Sequence, residues 1–185
     1  MSKMIEAEFI ENFLIIWNPE YGSELYKIGF YGKPIGISKP KSSDFDVPLI
    51  LDLMEGLYLV EKRIIKVFEG PDRNKVTFGN LRGRAKRLYE DFDHKYAVYK
   101  DLRDKGLVVT PGVKFGCDFA VYKHGPGIDH APFMVSVKSR KDEITATEIV
   151  KAGRLATTVR KRFIIAIPDL KAEEIEYLIF KWFKA

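Results

Sequence analysis

Residues 111–137 read PGVKFGCDFAVYKHGPGIDHAPFMVSV and contain two apolar runs that are typical of β-strands. The runs are Phe119–Tyr122 and Phe133–Val137, and the loop between them holds two glycines and two prolines. Because glycine and proline mark turns, the pattern predicts a strand–loop–strand unit. Tyr122 closes the first run and His130 lies just before the second, so two side chains able to exchange protons flank one loop.

Length and charge set broad limits on the protein. The chain has 185 residues, which is enough for one large domain or two small ones. Hydrophobic residues make up 46% of the chain, so a substantial core is possible. The formal net charge is +5, a modest basic excess that is compatible with a nucleic-acid partner and also common in other proteins.

Cysteine content and hydropathy predict a cytoplasmic protein. Cys117 is the only cysteine, so no internal disulfide can form and a reducing compartment is expected. Glu6, Glu8 and Glu11 interrupt the apolar residues near the N-terminus, which is unlike a signal peptide. A membrane-spanning helix needs about 18 consecutive apolar residues, and no run approaches that length, so no membrane partner is expected.

The two halves of the chain have different patterns of helices and strands. The first half predicts strands at 4–17, 64–68 and 75–78 and helices at 23–29, 49–62 and 81–88, with Ser23 as a helix cap. The second half predicts, besides the two runs above, helices at 93–105 and 147–162 and strands at 107–110, 163–167 and 176–183. We therefore expect an α/β (α+β) protein with a mixed α/β domain at 1–88 and a second α/β domain at 89–185.

The predicted helix at 147–162 is amphipathic. Arg154 and Lys161 are expected at the outer face or its rim, together with Lys151 and Arg160. The residues expected to face the core are Ile149, Val150, Leu155, Ala156 and Val159.

Residues 31–48 are too long for a tight turn and predict an exposed basic loop. The segment has two glycines, three prolines and the lysines Lys33, Lys39 and Lys41. Two interpretations remain open, a solvated connector and an arm that contacts RNA, since loops of this length are often functional.

The available side chains favour acid–base chemistry over metal or nucleophilic catalysis. The carboxylates of the second half, Asp118, Asp129, Asp142 and Glu143, do not form a tight metal-binding motif, and Cys117 is more typical of a packing residue. Metal-free cleavage of RNA needs a proton acceptor, a proton donor and a cation. Tyr122, His130 and a basic residue of the 147–162 helix could supply them, although the same residues are also typical of ordinary packing and loop positions.

Four separated motifs in the chain resemble the archaeal tRNA-splicing endonuclease family. In chain order the motifs are YKDLRDKG at 99–106, GVKFGCDFAVY at 112–122, HAPF at 130–133 and RLATTVRK at 154–161. The resemblance implies a restriction-endonuclease-like second domain that needs no cofactor and no metal. It also implies cleavage of precursor tRNA at bulge-helix-bulge junctions, giving 2′,3′-cyclic phosphate and 5′-hydroxyl ends.

The resemblance also assigns roles to single residues. It implies that Tyr122 is the general base, His130 the general acid and Lys161, at the end of its helix, the stabiliser of the transition state. Arg154, placed on the same helical face as Lys161, and either Trp182 or Lys181 would clamp a flipped bulge base, while Lys33, Lys39 and Lys41 are candidates for phosphate contacts. His124 is expected to be a loop residue and His94 a structural one.

Assembly into a tetramer is a further implication of the resemblance. An acidic loop carrying Asp169, Glu173 and Glu174 would dock into a basic groove of a partner subunit. The long segment at 31–48 is similar to the crenarchaeal catalytic subunit, which favours an (αβ)₂ heterotetramer with a structural subunit over a homotetramer. Competing interpretations are the non-catalytic structural subunit itself, an RNA-binding module, or a nuclease of another α/β class.

Overall fold

A computed structural model describes residues 4–158 and 161–179 of the chain. Trp182 and Lys181 lie outside these residues. The chain divides into two compact units, Met1–Glu90 and Asp91–Ala185. The division into separate domains at 1–88 and 89–185 remains a proposal.

In residues 4–90, the first unit has a six-stranded mixed sheet and three α-helices. Its sheet has the order β3-β4-β2-β1-β5-β6, in which β1 and β5 are parallel and the other pairs antiparallel. The elements in chain order are β1 (Ile5–Ile10), β2 (Phe13–Ile16), α1 (Pro19–Gly29), β3 (Lys33–Pro34), β4 (Leu49–Leu51), α2 (Leu53–Glu61), β5 (Ile65–Glu69), β6 (Asn74–Val76) and α3 (Phe78–Leu88).

The start of α1 differs from the prediction because an asparagine caps the helix. The Asn18 side chain accepts hydrogen bonds from the backbone N–H groups of Glu20 and Tyr21, at 2.9 and 3.2 Å. Ser23, the predicted cap, lies inside the helix instead. Its hydroxyl bonds both the N–H and the carbonyl of Phe45 at 3.1 Å, which fastens residues 31–48 to α1.

The predicted helix at 49–62 is wrong in its first part. Residues 49–51 pair with β2 as β4, and α2 begins only after Asp52. Asp52 and Glu55 form a capping box, in which each side chain accepts a hydrogen bond from the other residue's backbone N–H. The capping box therefore starts the helix at Leu53.

In its described residues, the second unit has a five-stranded sheet and two α-helices. The sheet order is β11-β10-β9-β8-β7; of these four described pairs, β9–β10 is parallel and the others are antiparallel. The elements are α4 (Phe92–Asp104), β7 (Val108–Pro111), a short 3-10 helix (Val113–Phe115), β8 (Phe119–Tyr122), β9 (Phe133–Val137), α5 (Ala146–Thr158), β10 (Arg162–Asp169) and β11 (Glu174–Ile179). The mixed helices and strands of both units confirm the predicted α/β class.

A buried arginine links α4 to the sheet. Arg103 is only 6% exposed, and its guanidinium donates to the Tyr99 hydroxyl and to the Val109 carbonyl, both at 3.0 Å. Asp101 in the same helix accepts a 2.5 Å hydrogen bond from the Tyr177 hydroxyl in β11. Burial and this bond to a carboxylate raise the pKa of Tyr177. The YKDLRDKG segment thus joins α4 to two strands of its unit.

Two predictions about the 147–162 helix are wrong. Ile149 and Val150 are 47% and 61% exposed, so they do not face the core of this unit. The side chains of Leu155, Ala156 and Val159, predicted to face the core with them, lie outside the described part of the structure. Lys161 lies outside α5, immediately before β10, because Arg162 pairs with Phe133 in the sheet. Arg154 and Lys161 therefore do not share one helical face. In the described part of the chain, no helix is long and apolar enough to cross a membrane.

Candidate active site

Three predicted catalytic residues come from strand ends that meet at one edge of the second sheet. Val121 of β8 lies opposite Phe133 of β9 in an antiparallel pair, so Tyr122 is next to the start of β9. Phe133 also lies opposite Arg162 in the parallel β9–β10 pair, and Arg162 N–H donates to Pro132 O at 2.8 Å. The end of β8, the start of β9 and the start of β10 therefore bring Tyr122, His130 and Lys161 to the same edge.

Lys161 is held close to His130 by two neutral groups. Its ammonium donates to the carbonyl of Ala131 at 3.2 Å and lies 4.3 Å from the centre of the Phe115 ring. Partial burial lowers the pKa of Lys161, and the nearby Cys117 acts in the opposite direction. A lysine ammonium is thus anchored on the residue that follows His130.

Tyr122 is half-buried and packs on a small apolar cluster. This cluster, called here the Met134 cluster, consists of Ala120, Ala131, Met134, Phe163 and Ile165. Phe115 and Cys117 pack on the same cluster. Ala131 belongs to the Met134 cluster and its carbonyl also accepts the Lys161 hydrogen bond. Ala131 therefore contributes to the support of both Tyr122 and Lys161.

The loop before His130 is closed by the carboxylate of Asp129. It accepts hydrogen bonds from the backbone N–H groups of Gly125 at 2.8 Å, Lys123 at 3.1 Å and His124 at 3.4 Å. Burial acts to raise the pKa of Asp129, but these hydrogen bonds outweigh it and the pKa is lowered. His130 itself is exposed at the end of this closed loop.

The GVKFGCDF segment supports the site through close contacts. Gly112 has no room for a side chain, because a Cβ there would lie 2.6 Å from Cys117 Sγ and 2.8 Å from two backbone atoms. Asp118 accepts from Val137 N–H at 2.8 Å and forms an ion pair with Lys95 of α4 at 3.1 Å. These contacts assign Asp118 a structural role between two strands and a helix.

The described residues offer no cluster of metal ligands. Within 4–158 and 161–179, no group of three or more His, Cys, Asp or Glu residues is placed to hold one metal ion. Three of the four carboxylates considered in the sequence accept hydrogen bonds from backbone N–H groups. Asp142 accepts one from Ser139 N–H at 2.7 Å, and Asp118 and Asp129 accept the bonds described above.

Comparison with known proteins gives matches along nearly the whole chain. Residues 5–82 match the N-terminal domain of the tRNA intron endonucleases, and residues 92–177 match their catalytic C-terminal domain. A tRNA-splicing endonuclease of Hyperthermus butylicus is 44% identical, with the alignment covering 98% of this chain and 99% of the relative. The chain belongs to the tRNA intron endonuclease family.

Two further archaeal relatives agree with this assignment. A tRNA-splicing endonuclease of Saccharolobus islandicus is 41% identical, and the alignment covers 98% of this chain and all of the relative. A tRNA-splicing endonuclease of Sulfurisphaera tokodaii is 42% identical over 96% of this chain and 98% of the relative. The family recognised from the four sequence motifs is thereby confirmed.

The predicted RNA-binding residues of this family member are spread over both units. Arg154 is exposed on α5, and its predicted clamp partners Trp182 and Lys181 lie outside the described residues. Lys33 is exposed in the edge strand β3, so the 31–48 segment is not wholly a loop. Lys39 and Lys41 are exposed in the remaining irregular part.

The acidic residues predicted to dock a partner differ in their surroundings. Asp169 ends β10 and accepts from the N–H groups of Lys171 and Ala172, at 3.0 and 3.1 Å, with Arg140 Nε 3.7 Å away. These bonds lower the pKa of Asp169. Glu173 and Glu174 are exposed on the turn into β11.

Two supports of the site, Phe115 and Asp129, were not predicted from the sequence. Phe115 lies within the GVKFGCDF segment, but its contact with Lys161 spans 46 positions of the chain. Asp129 had a local signal, because a short polar side chain after Gly125 and Gly127 is typical of a turn that bonds its own backbone.

Proposed function

We propose that this chain is the catalytic subunit of a tRNA-splicing endonuclease that cleaves precursor tRNA at bulge-helix-bulge junctions without a metal ion. The 2′-hydroxyl of the RNA attacks the adjacent phosphate and leaves a 2′,3′-cyclic phosphate and a 5′-hydroxyl. The observation that carries the proposal is that the strand ends next to Tyr122, His130 and Lys161 lie at one edge of the sheet, with the Lys161 ammonium on the Ala131 carbonyl.

His130 is the proposed general acid. Histidine is the side chain that can hold and release a proton near neutral pH, as protonation of the leaving 5′-oxygen requires. Its exposed position beyond the closed loop supports this role, because an RNA phosphate can approach it from solvent.

Tyr122 and Lys161 are the proposed general base and transition-state stabiliser. A phenol becomes an effective base at neutral pH only when a nearby cation favours its ionised form. Lys161 supplies a cation at the same edge, and the same ammonium can offset the negative charge that develops on the pentacoordinate phosphorus. Tyr122 packs on the Met134 cluster, which keeps it near this cation.

Binding of the bulge is assigned to residues of the second unit, and binding of phosphates to lysines of the first unit. Arg154, with Trp182 or Lys181, would hold a flipped base by stacking, which is worth about 1–3 kcal/mol per base. Lys33, Lys39 and Lys41 would contact phosphates, and their exposure supports this.

The proposed assembly is an (αβ)₂ heterotetramer with a structural subunit, and a homotetramer is the alternative. Glu173 and Glu174 are exposed and can meet a basic groove, whereas Asp169 would keep the turn in shape through its two backbone bonds. Gel filtration with mass measurement of this chain alone separates the two, because a stable and active homotetramer would rule out the need for a second subunit.

The decisive experiment is a cleavage assay on a bulge-helix-bulge RNA in EDTA, with and without a structural subunit. We expect cutting to persist in the chelator and the products to carry cyclic phosphate and 5′-hydroxyl ends. Tyr122→Phe, His130→Ala and Lys161→Ala should each cut far more slowly while still binding the RNA. Loss of cutting in EDTA that Mg²⁺ restores would contradict the metal-free mechanism.

A further inference from the structure

Within the described residues, the contacts of the Lys161 ammonium are with neutral groups. Its two close partners are a carbonyl oxygen at 3.2 Å and an aromatic ring centre at 4.3 Å. Among residues 4–158 and 161–179, no carboxylate forms an ion pair with it. A carboxylate would offset the positive charge, whereas a carbonyl and a ring face attract the ammonium and leave its full charge for a phosphate.

Phe115 is held in place by its backbone and by its packing. It ends the short 3-10 helix Val113–Phe115, and its backbone N–H donates to Gly112 O at 2.8 Å. Gly116 then reverses the chain with a φ of +65°, a conformation that favours glycine. The Phe115 ring packs on the Met134 cluster, which also supports Tyr122. The ring is therefore held between a hydrogen-bonded turn and the apolar cluster.

A lysine side chain without such a surface would lose its position. Four CH₂ groups separate the ammonium from the backbone, and the hydrogen bond to Ala131 restrains only the tip of the side chain. Contact with the ring restricts the remaining freedom and directs the ammonium to the carbonyl next to His130.

We propose that Phe115 is a positioning residue for Lys161, and that its ring face and the Ala131 carbonyl together hold the ammonium at the reacting phosphate. The proposal rests on the proposed function in taking Lys161 as the group that stabilises the transition state. It adds that an aromatic ring at position 115 is needed for the rate of cleavage and not for the binding of RNA.

The first test measures single-turnover cleavage of a bulge-helix-bulge RNA by the assembled enzyme. Phe115→Leu keeps an apolar side chain but removes the ring, and we expect its cleavage rate to fall about 3- to 30-fold with an unchanged Kd for RNA. Phe115→Tyr keeps the ring face and should stay within about twofold of the wild-type rate. Val113→Ala is the matched control, since Val113 lies in the same 3-10 helix but is 80% exposed.

A double-mutant cycle with Lys161→Ala shows whether Phe115 acts through the lysine. In the Lys161→Ala enzyme, Phe115→Leu should lower the residual rate by less than about twofold. An undiminished effect in that background would overturn the proposal, because the ring would then act on something other than Lys161. If Lys161→Ala alone cut at the wild-type rate, the proposed role of Lys161 would fail instead, so the two failures are distinguishable.

A spectroscopic test reads the contact directly in the wild-type protein. Protons above the face of an aromatic ring resonate upfield because of the ring current, so the Lys161 Cε protons of the wild-type protein should be shifted upfield of ordinary lysines. Specific labelling of lysine, with Lys161→Arg to assign the signal, makes the measurement possible. Absence of an upfield lysine signal in the folded wild-type protein would refute the contact.

Discussion

Asp129 is expected to control catalysis by keeping the loop between Tyr122 and His130 closed. Its carboxylate accepts three backbone hydrogen bonds, at 2.8 Å from Gly125, 3.1 Å from Lys123 and 3.4 Å from His124. An ordinary hydrogen bond contributes about 1 kcal/mol net, and the longest one contributes less. Asp129→Ala therefore removes roughly 2–3 kcal/mol of loop stability, which corresponds to a change of about 30- to 160-fold in the equilibrium between closed and open loop.

The size of the effect on the rate depends on how stable the closed loop is in the wild type. We expect Asp129→Ala to lower single-turnover cleavage about 10- to 30-fold and to leave the affinity for RNA nearly unchanged. Asp129→Asn keeps one oxygen for Gly125 but places an NH₂ group against the donors of Lys123 and His124. The loss of cleavage rate in Asp129→Asn should be intermediate, about 3- to 10-fold.

The pH dependence of this effect has a definite sign. The pKa of Asp129 is lower in the folded protein than its usual value, because the three N–H bonds outweigh burial. Such a group contributes stability above the unfolded pKa of about 4 and loses it as the pH falls through the folded pKa. The ratio of the wild-type cleavage rate to that of Asp129→Ala should therefore be constant from about pH 5 to 8 and shrink only in stronger acid.

Hydrogen exchange supplies a readout that is independent of activity. The backbone amides of Lys123, His124 and Gly125 should exchange faster in Asp129→Ala. Asp142→Ala is the matched control, since Asp142 makes a similar bond to Ser139 N–H but lies beyond the other end of β9. Wild-type cleavage by Asp129→Ala, or unchanged exchange at these three amides, would refute the reasoning.

Two substitutions test the packing behind the site by urea unfolding. Gly112→Ala should destabilise the protein by about 1–3 kcal/mol, because the new Cβ would meet Cys117 Sγ and backbone within 2.8 Å; an unchanged midpoint would mean that the segment can shift freely. Arg103→Leu should cost roughly 3 kcal/mol, since it removes donors from the buried Val109 carbonyl and the Tyr99 hydroxyl; a loss below about 1 kcal/mol would contradict that role.

Local sequence patterns predicted the strands next to the site well. The bounds of Phe119–Tyr122 and Phe133–Val137 agree with the structure, because turn residues stand at both ends of each apolar run. The same local patterns failed at α5. The helical period of a sequence shows which residues share a face, but it does not show whether another part of the chain covers that face. The pattern therefore could not show that Ile149 and Val150 are exposed.

The candidate site was less predictable from local pattern than the strands. Spacing suggested Tyr122 and His130 as neighbours across one loop, and the family resemblance, not spacing, pointed to Lys161. Phe115 and Asp129 were missed because their importance comes from contacts that sequence periodicity does not report. The Phe115 ring lies under an ammonium that is distant in sequence, and the Asp129 carboxylate accepts hydrogen bonds from its own loop. The catalytic roles themselves stay predictions.

The parallel pairing of β9 and β10 explains why the lysine can come from so far along the chain. Parallel neighbours start at the same edge of a sheet, and a crossover of at least about a dozen residues must join them. Here α5 lies within that crossover, so the residue just before β10 arrives beside the residues just before β9. Had β10 been antiparallel to β9, Lys161 would lie about 16 Å away, at the other end of a five-residue strand. The direction of β10 thus brings Lys161 to the start of β9. The Phe115 ring and the Ala131 carbonyl then hold its ammonium beside the residue that follows His130.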